Sequence, residues 1–357
     1  MKRFRTFLAG NPWSPLLAAL PLTLAVQLLQ GPPLFLFICA ALGIVPLAAY
    51  IGQATENLAA HTNPRLGALL NATFGNAAEL IITIAAVKAG LIELVKASIT
   101  GSIIGNLLLV LGFAMLAGGL RHGTQTFNQR RASRNAILLV LAVVALVIPS
   151  VWSQAIGTEG DPKVEALSVG VAIIMIVLYA LGLMEASKVK ESPLSQQLSK
   201  SDLPGWTLRQ AILILVLATL GVLWLSETLV GATEAVIASL GVSEFFLGII
   251  LVPIIGNVAE HLVSVTLALK NKMDLSVEVA TSSSLQIALF VAPLLVFISL
   301  LLGHPLQLIF NRFELLAVLT AVAVSALVSS DGESTWLEGA GLLAVYLILG
   351  LGFFLLP

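Results

Sequence analysis

The sequence predicts an all-α, polytopic membrane protein of about eleven transmembrane helices. Composition is the first observation behind this prediction: 58% of the 357 residues are hydrophobic, 10% are charged and the mean hydropathy is +1.01. A soluble core of this size could not bury so many apolar residues, so lipid must solvate most of the chain. The other two observations are a series of membrane-length apolar stretches and an internal repeat. The net charge of −1 leaves no basic patch for nucleic acid.

The apolar stretches are separated by Pro, Gly and charged clusters, and each is long enough for a bilayer-crossing helix, which needs roughly 20 residues. The basic segment 1–5 is interpreted as the flank of the first span and not as a signal peptide, because more apolar spans follow. The predicted limits are 13–30, 33–60, 66–88, 91–120, 135–152, 164–184, 206–240, 244–269, 275–303, 313–329 and 335–356.

The distribution of positive charge predicts the orientation of these spans. With the N-terminus in the cytoplasm, the outer side receives Lys88, Lys96, Lys163 and Arg312, and the other 14 of the 18 Lys and Arg fall inside. This is the bias that the positive-inside rule requires. The odd number of spans then places the C-terminus on the opposite side. The membrane is expected to be a prokaryotic inner membrane or an organellar membrane.

An internal repeat divides the chain into two halves. At an offset of 181, GNAAELIIT at 75–83 recurs as GNVAEHLVS at 256–264. Further upstream, Ala54-Thr55-Glu56 matches Ala232-Thr233-Glu234 if the intervening loop differs by three residues. Each half holds five spans, an odd number, so the second copy enters the membrane inverted. The predicted organisation is an N-terminal tail and first helix at 1–32, a repeat at 33–184, a cytoplasmic linker at 185–205 and a repeat at 206–357.

Two glutamates, Glu79 and Glu260, lie deep in apolar spans, where a carboxylate costs roughly 2.5 to 3.5 kcal/mol on insertion scales. No Lys or Arg lies in the middle of a predicted span to neutralise them. Inverted repeats place their binding sites where the two copies meet near the midplane, often at interrupted helices. Gly75, Pro253 and Gly256 are expected to loosen the helix before each glutamate and to free carbonyl oxygens.

The oxygen-bearing residues near the glutamates indicate a site for a hard cation. Asn76 and Asn257 precede their glutamates by three residues, which places amide and carboxylate on one helix face. Ligand roles or interhelical hydrogen bonds are both open for the polar residues of the following spans, namely Ser102, Ser283 and Gln286. Carboxylate, amide and hydroxyl oxygens are the ligands of Ca²⁺, and Mn²⁺ fits nearly as well.

The same carboxylates predict proton coupling. Without the metal, two neighbouring buried carboxylates cannot both stay ionised, so protons occupy the site and exclude Ca²⁺. His261 is interpreted either as a proton relay or as a packing residue. Glu56 and Glu234, near the span ends, are interpreted as carboxylates at which ions enter or as interface anchors. No cofactor is expected, and no nucleophile and base pair indicates an enzyme.

The segments ATENLAAHTNPRLGALLNATFGNAAELIITIAAVK, TGSIIGNLLLVLGFAMLAGG, GNVAEHLVSVTLALK and SSSLQIALF resemble the cation/proton exchanger (CAX) branch of the Ca²⁺/cation antiporter superfamily. The resemblance implies one helix plus two sets of five, with Glu79 and Glu260 as essential Ca²⁺ and H⁺ ligands. The Asn, Ser and Gln residues named above would support them, and His261 matches the family's GNxAEH. Sodium-coupled relatives carry a Pro just before the glutamate, where this chain has Ala78 and Ala259.

The central linker departs from the family pattern. Family members often carry a strongly acidic helix there, but in this chain the acidic residues of the linker are offset by lysines, so the resemblance does not extend to a Ca²⁺-sensing role. The expected partners are Ca²⁺, H⁺ and the lipid bilayer, with Mn²⁺ and a homo-oligomer left open. A Na⁺- or K⁺-coupled exchanger is the main alternative. A passive channel fits less well, because it would not need an inverted repeat with two titratable half-sites. An intramembrane enzyme is the weakest alternative, because the spans carry no nucleophile and base pair, phosphate-binding loop or catalytic metal signature.

Overall fold

The computed structural model describes residues 13–62, 64–188 and 205–356, so the basic N-terminal flank and most of the predicted linker lie outside the described residues. In the described part the chain is almost entirely helical. The helices are α1 (Ser14–Leu28), α2 (Pro33–Ala60), α3 (Pro64–Phe74), α4 (Ala77–Lys88), α5 (Ile92–His122), α6 (Gln129–Ile156), α7 (Pro162–Lys188), α8 (Leu208–Leu240), α9 (Glu244–Val258 and Glu260–Leu269), α10 (Met273–Leu302), α11 (Arg312–Val328) and α12 (Trp336–Leu355).

Most of these helices have the length and apolarity of membrane spans. Among the described residues, seven helices qualify on both counts, and the bent helix α9 makes eight if it is one span. In α7 only 17% of the apolar window is buried, so this helix presents most of its surface to lipid. The predicted class, a polytopic all-α membrane protein, is confirmed, while the number of eleven spans stays a prediction.

The helices that carry the two glutamates are interrupted. Helix α3 ends at Phe74 and α4 begins at Ala77, so Gly75 and Asn76 form a break inside what the sequence predicts as one span. Helix α9 bends by 65° next to Glu260. Wider π-helical turns occur at Leu247–Leu251 in α9, Gly105–Val110 in α5 and Ile287–Val291 in α10. Such turns are frequent at functional sites. The predicted break at Gly75 is confirmed, whereas before Glu260 the bend lies between Val258 and Glu260 and not at Pro253 or Gly256. The freed carbonyl oxygens stay a prediction.

One end of the bundle is rich in arginine and is called the basic end here. A two-stranded antiparallel pair, β1 (Gln125–Thr126) and β2 (Glu333–Ser334), joins the loop after α5 to the loop after α11. The Gln125 side chain donates to the carbonyl of Ala268 at 3.1 Å, which adds the loop after α9. Nearby, buried Arg131 pairs with Glu278 and Asp274.

The loops at the other end, called the acidic end, alternate along the chain with those of the basic end. The backbone N–H of Leu94, in the first turn of α5, donates to Glu244 Oε1 at 3.1 Å, joining the start of α5 to the start of α9. The N–H of Gly160, after α6, donates to Gln307, after α10, at 3.0 Å. Loops on the two faces of a membrane alternate in this way when every intervening segment crosses it.

Lys96, which the charge distribution assigns to the outer side, does not lie in an exposed loop. It lies inside α5, is 2% exposed, and forms ion pairs with Glu93 and Glu159 at the acidic end. A buried cation requires such partners. The pairing also shows that Lys96 does not neutralise Glu79 or Glu260.

Close backbone contact brings α5 and α9 together between the two ends. A Cβ atom on Gly101 would clash with the carbonyl of Ile249 and would lie 2.6 Å from Pro253 Cγ. A Cβ on Gly256 would lie 3.4 Å from the Cβ of Glu79, so Gly256 faces that glutamate directly. Glycine at these positions allows a helix of one half to pack against a helix of the other.

Candidate ion-binding site

Glu79 lies in the first turn of α4, directly after the break at Gly75 and Asn76. Its side chain is 1% exposed, and its Oε1 accepts a hydrogen bond from Ser102 on α5. Its Oε2 is buried and has no hydrogen-bond partner within the described residues. Because buried polar atoms are nearly always satisfied, an open carboxylate oxygen indicates a position for a cation or a proton.

Glu260 occupies the equivalent position in the second half, next to the bend in α9. Its Oε2 accepts a hydrogen bond of 2.5 Å from the hydroxyl of Ser283 on α10. Each glutamate is therefore bound by the serine that follows it by 23 residues, on the next long helix. The two half-sites share this arrangement.

The asparagines connect the two half-sites by crossing between them. Asn257 donates from Nδ2 to Ser102 Oγ at 3.3 Å, and Ser283 Oγ lies 3.1 Å from Asn76 Oδ1. In each case the amide of one motif contacts the serine that binds the other glutamate. All four residues are at most 4% exposed. Glu79 and Glu260 thus belong to one hydrogen-bonded centre built from both halves.

Two further amides extend this centre, and Gln286 is the one that the sequence predicts. Gln286 accepts from Asn76 Nδ2 at 2.6 Å. Asn106 on α5, which was missed, donates from Nδ2 to Ser283 Oγ at 3.1 Å. The signal for Asn106 was its position four residues after Ser102, on the same face of an apolar helix. The repeat alignment obscured it, because an offset of 181 pairs it with Ile287.

The direction of the hydrogen bonds around Ser283 depends on whether Glu260 is protonated. A serine hydroxyl has one proton to donate and two lone pairs. Ser283 accepts from Asn106, and its own proton can reach either Glu260 or Asn76 Oδ1. If Glu260 is protonated, it donates to Ser283, and Ser283 donates to Asn76, so every contact is satisfied. Ser102 needs no extra proton, because it accepts from Asn257 and donates to Glu79.

A cavity of about 180 Å³ leads to this centre. Its polar lining comes from the first-half residues Gln53, Thr55, Glu56 and Asn71 and the second-half residues Glu260, Ser282, Ser283 and Gln286. Glu56 therefore shares a cavity with Glu260. The Glu79 side chain is not among its lining residues in the described part of the chain and lies deeper.

The remaining predicted residues lie outside the hydrogen-bonded centre. Glu234 is exposed near the C-terminal end of α8, close enough to Glu244 for an electrostatic interaction. His261 is half-buried beside Glu260 and is not among the residues that line the cavity within the described part.

Comparison with known proteins identifies the family. The family described as Sodium/calcium exchanger protein matches residues 32–185 and 210–355. The chain belongs to this family. It is 46% identical to a Ca²⁺/H⁺ antiporter of Aphanothece halophytica over 96% of each chain, and 44% identical to the Ca²⁺/H⁺ antiporter ChaA of Bacillus subtilis over 95% of this chain and 97% of that one.

A solved structure supports the same assignment. The structure of native YfkE matches with a TM-score of 0.85 and 44% identity, covering 96% of this chain and 100% of that chain. The resemblance to the CAX branch is confirmed. The two matched ranges of the family flank residues 186–209, which include most of the predicted linker. Each range contributes one Asn and Glu motif and its serine to the centre.

Proposed function

We propose that this protein exchanges Ca²⁺ for H⁺ across a membrane by alternating access. The observation that carries the proposal is the single buried centre in which Glu79 and Glu260 are joined through crossed Asn and Ser contacts. It offers carboxylate, amide and hydroxyl oxygens, the donor set of Ca²⁺. The names of the relatives at 44 to 46% identity agree with this activity.

Competition between the metal and protons is the proposed basis of coupling. A Ca²⁺ ion between the two carboxylates would bind the open Oε2 of Glu79 and displace a proton from Glu260. Once the ion leaves, repulsion between the carboxylates favours reprotonation. The conformational change then occurs only with the centre neutralised by one ligand or the other.

The proposed layout is one N-terminal helix and two inverted five-helix repeats, with domain limits as in the sequence analysis and a cytoplasmic N-terminus. The alternation of loops between the basic and acidic ends supports it, if α3 with α4 and the whole of α9 each count as one span. The basic end is then cytoplasmic. The cavity approaches Glu260 from that side, so this conformation is proposed to face inward.

Other residues have proposed roles in the same cycle. Glu56 would attract the cation from the cytoplasmic side, since it lines the cavity that leads to Glu260. Glu234 would do so at the acidic end in the outward-facing state. Asn76, Asn257, Ser102, Ser283 and Gln286 are proposed as ligands or as supports of the carboxylates, and His261 as a proton relay. Mn²⁺ is proposed as a second substrate.

The test is Ca²⁺ uptake into liposomes that contain the purified protein and carry an imposed proton gradient, in the absence of Na⁺ and K⁺. Uptake should require the gradient and should be lost in Glu79→Gln and in Glu260→Gln. The matched control is Glu227→Gln, because Glu227 is half-exposed and pairs with Lys88 at the surface. This control should transport at the wild-type rate.

Three results would refute the proposal. Uptake driven by Na⁺ and indifferent to the proton gradient would identify a sodium-coupled exchanger, and gradient-independent flux would identify a channel. Full activity in either site variant would exclude the paired glutamates. Competition by Mn²⁺ in the same assay tests the second substrate.

A further inference from the structure

A groove between α6 and α7 at the basic end is separate from the ion centre. It encloses about 550 Å³. The part of the groove nearest the basic end, called its mouth, is polar, with Gln129, Arg130, Ser133, Arg134 and Glu185 on its walls. The part farther from that end, called its trough, is apolar and is lined by Ile137, Leu138, Leu178 and Leu181. A polar mouth above an apolar trough matches a molecule with a polar head and a hydrocarbon chain.

The charges at the mouth favour an anion. Arg130 is exposed and Arg134 is half-buried, and neither forms an ion pair within the described residues. Arg131 between them is different, since Glu278 and Asp274 already bind it. Glu185 is the acidic group on the groove wall, and Glu278, which is already bound to Arg131, lies off that wall but close enough to Arg134 for an electrostatic interaction. The wall itself therefore carries two cations against one anion. Two adjacent guanidinium groups suit a phosphate, which they can bind through charge-assisted hydrogen bonds.

The trough of the groove opens on the side of the bundle that faces the bilayer. Ile137 is 62% exposed and Leu181 is 55% exposed, and α7 buries little of its surface in the bundle. In a membrane these side chains contact acyl chains. A basic pocket between transmembrane helices on the cytoplasmic side is a recognised site for acidic lipid headgroups.

From these observations we infer that the groove binds an anionic phospholipid of the cytoplasmic leaflet. Its phosphate binds Arg130 and Arg134, and one acyl chain lies along Ile137, Leu178 and Leu181. The inference does not depend on the transported ion.

The groove also adjoins the ion centre. A second cavity of about 180 Å³ shares Arg134, Leu138 and Gly182 with it and extends to Ser282 and Gln286. Gln286 is the residue that accepts from Asn76 in the ion centre. A lipid in the groove therefore lies against the second cavity, which extends to Gln286 at the ion centre.

The test is native mass spectrometry of the purified full-length protein, titrated with dioleoyl phosphatidylglycerol or with phosphatidylcholine of the same chains. The wild type should bind phosphatidylglycerol at least tenfold more tightly. The double variant Arg130→Gln, Arg134→Gln should lose this preference. The matched control, Arg121→Gln with Arg209→Gln, removes two exposed arginines elsewhere on the described chain and should keep it.

Two further arms distinguish binding of the whole lipid from binding of a free phosphate. Ile137→Trp fills the apolar trough without changing charge and should also weaken phosphatidylglycerol binding. Glycerol phosphate in hundredfold excess should not displace the lipid, because it lacks the chains. Equal binding of both lipids by the wild type, or an equal loss in the control, would overturn the inference. So would unchanged binding in Arg130→Gln, Arg134→Gln, which would leave the groove to another occupant such as the linker.

Discussion

Glu79→Gln is the change whose effect on Ca²⁺ binding follows most directly from the structure. The amide keeps an oxygen that can accept from Ser102, so that contact survives. The oxygen that has no hydrogen-bond partner, Oε2, is replaced by an NH₂ group, whose two N–H donors face the proposed position of the cation. The substitution therefore removes one charge and one ligand from a buried centre with little change in shape.

The expected loss is large because Glu79 is 1% exposed and water cannot replace the missing charge. Removing one partner of a buried charge pair costs about 3 to 5 kcal/mol. At 1.4 kcal/mol for each tenfold change, Ca²⁺ affinity should fall by roughly a hundred- to several-thousand-fold. Glu227→Gln makes the same chemical change at a half-exposed surface pair, worth at most about 1 kcal/mol to that pair. It should leave Ca²⁺ affinity unchanged.

Isothermal titration of Ca²⁺ into the detergent-purified proteins measures both affinities. Thermal unfolding checks that each variant is folded. A folded Glu79→Gln variant with an affinity within fivefold of the wild type would refute the assignment of the open oxygen to the cation.

Three other substitutions have distinct expected outcomes. Gly101→Ala should lower stability by about 1 to 3 kcal/mol and slow uptake, whereas Gly105→Ala, with nothing within 4 Å of its new Cβ, should change the unfolding temperature little. Asn106→Leu removes the donor to Ser283, so the Ca²⁺ concentration for half-maximal uptake should rise a few-fold, in line with about 1 kcal/mol for the bond; no change would remove it from the centre. If Glu260 is protonated in the ion-free protein, Glu260→Gln should unfold close to the wild-type temperature, because its amide donates to Ser283 as a protonated carboxyl would; a marked loss of stability would contradict a protonated Glu260.

Much of this architecture could be predicted because lipid imposes strong constraints on sequence. Apolar stretches of membrane length correspond closely to the helices, and the repeat offset of 181 relates Glu79 to Glu260. The break at Gly75 and Asn76 follows from a glycine placed before a buried carboxylate. The sequence also placed Ser102 and Ser283 on the span that follows each glutamate, although the hydrogen bonds between them depend on packing between two helices.

The rest could not be predicted because it depends on packing between the halves. Asn106 was not predicted, because its repeat equivalent is not an amide and a wider helical turn begins beside it, which shifts the register of the helix face. The burial of Lys96 depends on Glu159 from a distant loop. The side from which the cavity approaches Glu260 depends on how the helices pack in this conformation, which the sequence pattern does not specify.

The central claim is that Ca²⁺ and protons compete for the centre of Glu79 and Glu260. Its most direct test is to count the protons released when Ca²⁺ binds to the purified protein in weakly buffered solution with a pH-sensitive dye. Release of one to two protons per ion is expected near neutral pH, so Ca²⁺ affinity should rise about ten- to a hundredfold per pH unit. Glu79→Gln with Glu260→Gln should abolish both binding and release. Tight Ca²⁺ binding with no proton release, and with an affinity independent of pH, would contradict the account.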